Sequence, residues 1–222
     1  MQQFRNIKET IDFFMTKMPH LDQQTQADVR SGKKEFHEAD FYIRKKLQGG
    51  TGIQDLIKET DSLEACVTSI DKAKLYKGQD LLLLGIGLAY AYNAATTTPD
   101  TQDYTGNIYK INDVEADAGA GVVAGVGVPV RYIPVSIVNS DFTLTAGGNL
   151  IFKSRTRKFL AEATAGYAIE ANDENCVLLK LPKLVKAESL LKMQMEFGAN
   201  APALANNHFI EVRLLGLYLA DR

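Results

Sequence analysis

Between residues 189 and 220 the chain reads SLLKMQMEFGANAPALANNHFIEVRLLGLYLA, and the alternation in it decides the fold. Leu191, Met193, Met195 and Phe197 fall at every second place, separated by Lys192, Gln194 and Glu196. That period of two belongs to a strand with one face buried and the other in water. After the turn-prone residues 198–207, with Pro202 among them, a second run begins at Phe209 in alternation and becomes almost continuously apolar by Leu219. Such a strand is buried on one face at first and on both faces later. The two runs read as a closing pair of long strands that the upstream chain must cover.

Working backwards to residue 80, short apolar runs alternate with connections rich in Gly, Asn, Asp and Thr. Strands are expected over 81–92, 107–111, 130–138, 142–145, 150–153, 159–164 and 176–181, ahead of the final two. The Ala146-Gly147-Gly148-Asn149 stretch is the clearest hairpin turn. Many strands with no amphipathic helices between them argue for an antiparallel β-sandwich or barrel rather than a parallel α/β sheet. Residues 94–106 and 112–128 are long connections whose glycines and alanines suit close backbone contacts, within the chain or with a neighbour.

Before residue 80 the character differs. Phe4, Ile7, Ile11, Phe14, Met15 and Met18 recur at helical spacing, with charged residues on the other side and Pro19 ending the pattern. This amphipathic arm requires a surface: its own domain, a neighbouring subunit or a membrane, the last disfavoured by the mixed charge of its polar face. Residues 33–47 read as a strand. The Gln48-Gly49-Gly50-Thr51-Gly52 loop lacks the Gly-Lys-Ser/Thr ending that holds phosphate and magnesium, so a turn leading into a helix over 53–70 is the better account. The expected organisation is a helical arm and mixed segment over 1–79 and an antiparallel sandwich over 80–222, packed as one compact unit.

Composition bounds the function. With 222 residues and 45% hydrophobic residues the chain can bury a real core, and a formal charge of -2 gives no global basic field for nucleic acid, so any such contact is local. Cys66 and Cys176 stand far apart in apolar surroundings and read as buried free thiols, not as a disulfide framework or zinc motif. Residues 1–17 carry charges through their apolar positions, unlike a secretory signal, which argues for a protein made and kept in the cytoplasm. No segment reads as a transmembrane span: 81–92 is too short, and Arg131, Pro129 and Pro134 interrupt 118–138.

Candidate chemistry is sparse. Asp113, Glu115 and Asp117 have the alternate spacing that presents carboxylates to calcium, but Ala118 and Ala124 replace the glycine and glutamate of an EF-hand. An irregular calcium site completed by Asp100 or Asp103 stands against a solvated acidic loop. His20, His37 and His208 have no metal spacing and read as surface or strand-edge residues. No nucleophile elbow is present, and no enzyme is expected. Lys153, Arg155 and Arg157, with Lys158 beside them, share one face at strand period, able to meet phosphates or carboxylates, or simply solvated.

The amphipathic arm, the run of short strands with Thr/Asn/Gly/Ala-rich excursions, the near-neutral charge and the long closing strands together resemble the jelly-roll structural proteins of bacteriophage virions, over residues 80–222. The resemblance implies two four-stranded sheets, self-assembly as a homo-oligomer with other virion proteins as further partners, and no catalytic residues or cofactor. It also implies assembly in the host cytoplasm and residence in the virion. In that setting Phe4, Ile7, Ile11, Phe14 and Met18 are the expected subunit-interface residues. The alternative is a ligand-binding β-sandwich for carbohydrate or a receptor, with Tyr90, Tyr92, Tyr104, Tyr109, Tyr132 and Tyr167 as stacking surfaces.

Overall fold

The computed structural model describes residues 23–65, 67–93, 134–159 and 176–221. These residues are mainly β, in two antiparallel four-stranded sheets. After a short helix α1 (Gln23–Arg30), the strands run β1 (Lys34–Gly49), β2 (Gly52–Asp55) and β3 (Asp80–Asn93). A single helical turn, α2 (Val135–Val138), precedes β4 (Asp141–Ala146) and β5 (Asn149–Arg155), and a 3-10 turn (Thr156–Phe159) follows. The last three are β6 (Cys176–Val185), β7 (Leu191–Phe197) and β8 (Ala203–Asp221).

The first sheet has the order β1-β8-β3-β6 and the second β2-β7-β4-β5. Four of the pairs nest within one another along the chain: β4 with β5, β3 with β6, β2 with β7 and β1 with β8. The remaining two pairs, β3 with β8 and β4 with β7, join these hairpin-like pairs into sheets.

Alternation places the core. In β7 the residues Leu191, Met193, Met195 and Phe197 are all buried while Lys192 and Glu196 are exposed, as their period requires. They share one apolar cluster with Phe142 and Leu144 of β4 and with Ile43, Leu83, Ile86, Leu88, Ile210, Val212 and Leu214 of the first sheet. The two sheets therefore bury their apolar faces in a common core, a sandwich-like arrangement.

The Leu81 to Leu84 run is accommodated by a bulge. Leu83 faces Gly216 of β8 and Gly85 faces Leu215, so Leu84 is the extra residue. Before the bulge Leu81 and Leu83 point into the main core, and after it Ile86, Leu88 and Tyr90 do, so the buried parity switches from odd to even. Leu82 and Leu84 join Leu217 in a second cluster, with Phe36 packed against it. The β4–β5 hairpin forms as expected, with Gly147 and Gly148 at φ 55° and 81°. Both central residues of a type I′ turn need that left-handed conformation, which glycine adopts without steric cost.

Several expectations are corrected. β7 and β8 do not pair: they lie in different sheets, joined by a connection in which the Ala201 amide donates to the Gly198 carbonyl. From the segment before residue 80, β1 and β2 supply an edge strand to each sheet. The helix expected over 53–70 is instead β2 followed by an irregular loop; Leu56, Ile57 and Ile70 are buried without helical periodicity. Val135–Val138 is a helical turn where a strand was expected, and Phe159 closes the 3-10 turn instead of opening a strand. The strand at 107–111 and the N-terminal arm lie outside the described residues. Among the described residues no helix is long and apolar enough to cross a membrane.

Candidate functional site

The outward positions of β4 and β7 are polar because their inward positions hold Phe142, Leu144, Met193 and Met195. Its residues stand in transverse rows. One row runs Ile53, Glu196, Asp141, Arg155, and the next runs Asp55, Gln194, Thr143, Lys153. Gln194 Nε2 donates to Asp55 Oδ1 at 2.7 Å, tying β7 to the edge strand β2. Lys153 Nζ lies 3.6 Å from Glu196 Oε2 and 3.9 Å from Asp141 Oδ2. At such distances on an exposed face these pairs contribute at most about 1 kcal/mol. Arg155 stands directly across from Asp141 yet forms no ion pair among the described residues.

Beside this row an open depression of about 570 Å³ is lined by Asp141, Arg155, Glu196 and the start of the β7–β8 connection at Gly198 and Ala199. Two carboxylates and a guanidinium across an open trough can ion-pair with charged groups of a partner. Among the described residues its lining contains no Ser, Cys or His.

The strand containing Lys153 and Arg155 ends at Arg155. Arg157 and Lys158 belong to the 3-10 turn, so the common face expected for 153, 155 and 157 is shared by the first two only. The turn is fixed from inside. Phe159 packs edge-on against Phe142 at 6.0 Å between centroids, and the buried Ser140 and Thr156 hydroxyls bond each other at 2.8 Å. Arg157 and Lys158 remain exposed at its rim.

The first sheet carries its own ion pairs on the face turned from the main core. Arg44 Nε donates to Glu211 Oε2 at 2.5 Å between directly opposed residues, with the Arg44 guanidinium over the Tyr42 ring, and Arg213 grips Asp40 through two nitrogens. Two-point guanidinium–carboxylate pairing fixes orientation as well as charge. Next to it, a pocket of about 140 Å³ under residues 60–68 is bordered by Lys45, whose Nζ reaches Asp61 Oδ2 at 3.2 Å. These contacts bind the 56–76 loop to β1.

His208 overturns its expectation as a surface or strand-edge residue. It lies in the central strand β8, 7% exposed, and its Nδ1 meets the Tyr90 hydroxyl at 2.6 Å. A buried polar pair of this kind holds β3 and β8 in register, since either partner left alone would lose a hydrogen bond in a dry environment. Tyr90 is 1% exposed and offers no stacking surface to a sugar. The sequence signal was present: 208 shares the parity of Ile210 and Val212, both buried. His37 stacks on Tyr218 at 5.1 Å and sits 3.5 Å from Glu35 at the exposed edge strand.

Asp113, Glu115 and Asp117, their proposed companions Asp100 and Asp103, His20 and Cys66 lie outside the described residues. So do Phe4, Ile7, Ile11, Phe14 and Met18, along with Tyr104, Tyr109, Tyr132 and Tyr167 and the side chain of Tyr92. Cys176 is half-buried, and among the described residues no three His, Cys, Asp or Glu side chains come together as metal ligands. No protein-family model, no curated protein and no solved structure matches this chain.

Proposed function

We propose that this chain is a jelly-roll building block of a bacteriophage virion, a structural protein without catalytic activity that assembles with copies of itself in the host cytoplasm. The observation that supports it is the strand order. A jelly roll is a long eight-stranded hairpin wrapped into two sheets, so its pairs nest from β4–β5 outward to β1–β8 and alternate between the sheets. The orders β1-β8-β3-β6 and β2-β7-β4-β5 have that nesting and that alternation. The same architecture serves capsid shells, lectins and cupins, so topology alone does not select among them. The resemblance in sequence texture favours the virion.

The experiment is the mass of the purified protein by light scattering across a concentration series, with negative-stain images of the same samples. Rings, trimers or shells agree with the building block. A strict monomer at every concentration removes it and leaves the ligand-binding sandwich, for which glycan and calcium titrations then decide.

A further inference from the structure

The edge strands of the two sheets are β1 and β6 on the first and β2 and β5 on the second. An edge strand offers a row of backbone amides and carbonyls to any further strand, and folded chains blunt such rows with bulges, prolines or brevity. Three of these edges are blunted in that way. β2 has only four residues. In β5 the pairing with β4 shifts so that Ile151 is the extra residue, and β6 leaves β3 between Leu178 and Lys183, with Pro182 in the excursion. β1 differs: over residues 34–47 it pairs with β8 without a shift and contains neither proline nor glycine.

The free edge of β1 is taken up only in its second half. The Tyr42 carbonyl accepts the Ser69 amide, and the Arg44 amide donates to the Val67 carbonyl. Even-numbered residues of β1 therefore turn their backbone groups away from β8. By the same alternation the amides and carbonyls of Lys34, Phe36, Glu38 and Asp40 face the open edge, where they have no partner among the described residues. The charges on Lys34, Glu35, Glu38 and Asp40 are the remaining guard there, because an added strand has to match them.

We propose that the 34–40 edge of β1 adds the same edge of a second copy, antiparallel, about a two-fold axis at Phe36. In that register Lys34 faces the partner's Glu38, Glu35 faces the partner's His37 and Phe36 faces the partner's Phe36. Lys33 falls opposite the partner's Ala39 and Asp40 opposite the partner's Gly32, so no charge of 33–40 meets its like. Lys34, Phe36 and Glu38 are opposed by even-numbered residues, so the free amides and carbonyls of both copies meet. Slipping the pair by two residues sets Glu35 against Glu35 in one direction, or Phe36 against Glu38 in the other. The occupant is a second copy because this stretch is its own complement when reversed: the charges that turn away a foreign strand admit this one. Glu35 and His37, 50% and 42% exposed, are accessible to it. Residues 1–18 carry a helical period and do not suit a strand's place. The contact joins two four-stranded sheets into one continuous sheet. The inference rests on the self-assembly proposed above and names one two-fold contact within it.

The test uses the full chain. Lys34→Glu and Glu38→Lys each set like charges across the contact twice, and each alone is expected to need at least about 10-fold more protein to pair than the wild type. The two variants mixed in equal amounts, or one chain carrying both changes, restore opposite charges and should recover pairing. Hydrogen exchange reads the backbone: the Lys34, Phe36 and Glu38 amides should gain protection as concentration rises and lose it on dilution. Light scattering gives the mass, and circular dichroism confirms that each variant is folded. Folded single variants that pair like the wild type, a double change that fails to recover pairing, or edge amides that exchange equally at every concentration of an assembling wild type overturn the edge contact while self-assembly stands. A wild type that stops at a dimer with those amides protected upholds the contact and overturns the virion building block. A wild type that stays monomeric overturns both.

Discussion

Three glycines separate steric from conformational limits on this fold, and alanine at each gives a different expected cost. At Gly216 a Cβ would lie 3.0 Å from the Leu82 carbonyl carbon, 3.3 Å from Leu83 Cα and closer still to the Leu82 oxygen. These are backbone atoms of the neighbouring strand beside the Leu84 bulge, so relief requires β8 to move away from β3. Overpacking of that kind costs about 3 kcal/mol. At Gly148 a Cβ meets nothing within 4 Å, but φ is 81°, and the left-handed conformation costs alanine about 1 kcal/mol. At Gly198 neither limit applies, and alanine should stabilise by about 0.5 kcal/mol through the unfolded chain. Urea unfolding followed by far-UV circular dichroism suits a protein without tryptophan, at one fixed concentration so that assembly does not shift the midpoint. With a slope of about 2 kcal/mol per molar, Gly216→Ala should lower the midpoint by about 1.5 M and Gly148→Ala by about 0.5 M. If Gly216→Ala unfolds within about 0.2 M of Gly198→Ala, the close approach of β8 to β3 is wrong.

Met195→Ala, at a fully buried position, should cost about 2–5 kcal/mol, whereas Glu196→Ala on the outward face of the same strand should cost less than about 1 kcal/mol; equal losses would place β7 in the wrong register. Tyr90→Phe should destabilise by about 1–3 kcal/mol by removing the His208 contact, and an unchanged urea midpoint would deny that pair a structural role. Asp80→Ala should cost about 1.5–3 kcal/mol, since the carboxylate accepts the Ala187 amide at 2.8 Å and anchors the turn between β6 and β7. Deleting residues 1–18 should lower oligomer size by light scattering and leave the β circular dichroism intact; loss of the β signal would make those residues part of the core instead.

What the sequence made legible follows from how far apart the interacting residues are. The alternation in β7 and the Gly147-Gly148 hairpin are local, so periodicity and turn chemistry identified them directly. Partner choice is not local: nothing between Phe197 and Phe209 indicates that β7 and β8 enter different sheets. β2 was missed because it has only four residues, with Ile53 outward, while Leu56, Ile57 and Ile70 mimic helical spacing by falling in an irregular buried loop. Of the basic cluster, Lys153, Arg155 and Arg157 were expected on one face, and only Lys153 and Arg155 share it, because the strand ends where Thr156 turns inward to Ser140.

The placement of β8 between β1 and β3 has a consequence for how the chain reaches its folded form. Its partners are the first and third strands, so the widest loop in the molecule must close before the first sheet exists, and high contact order makes such folding slow. Until then β1 and β3 flank an empty slot with unpaired amides and carbonyls on both walls. A slot of that shape accepts the same strand from any copy, so crowded nascent chains are liable to exchange their last strands. Dilution during refolding, or a chaperone that isolates each chain, would favour insertion of a molecule's own β8.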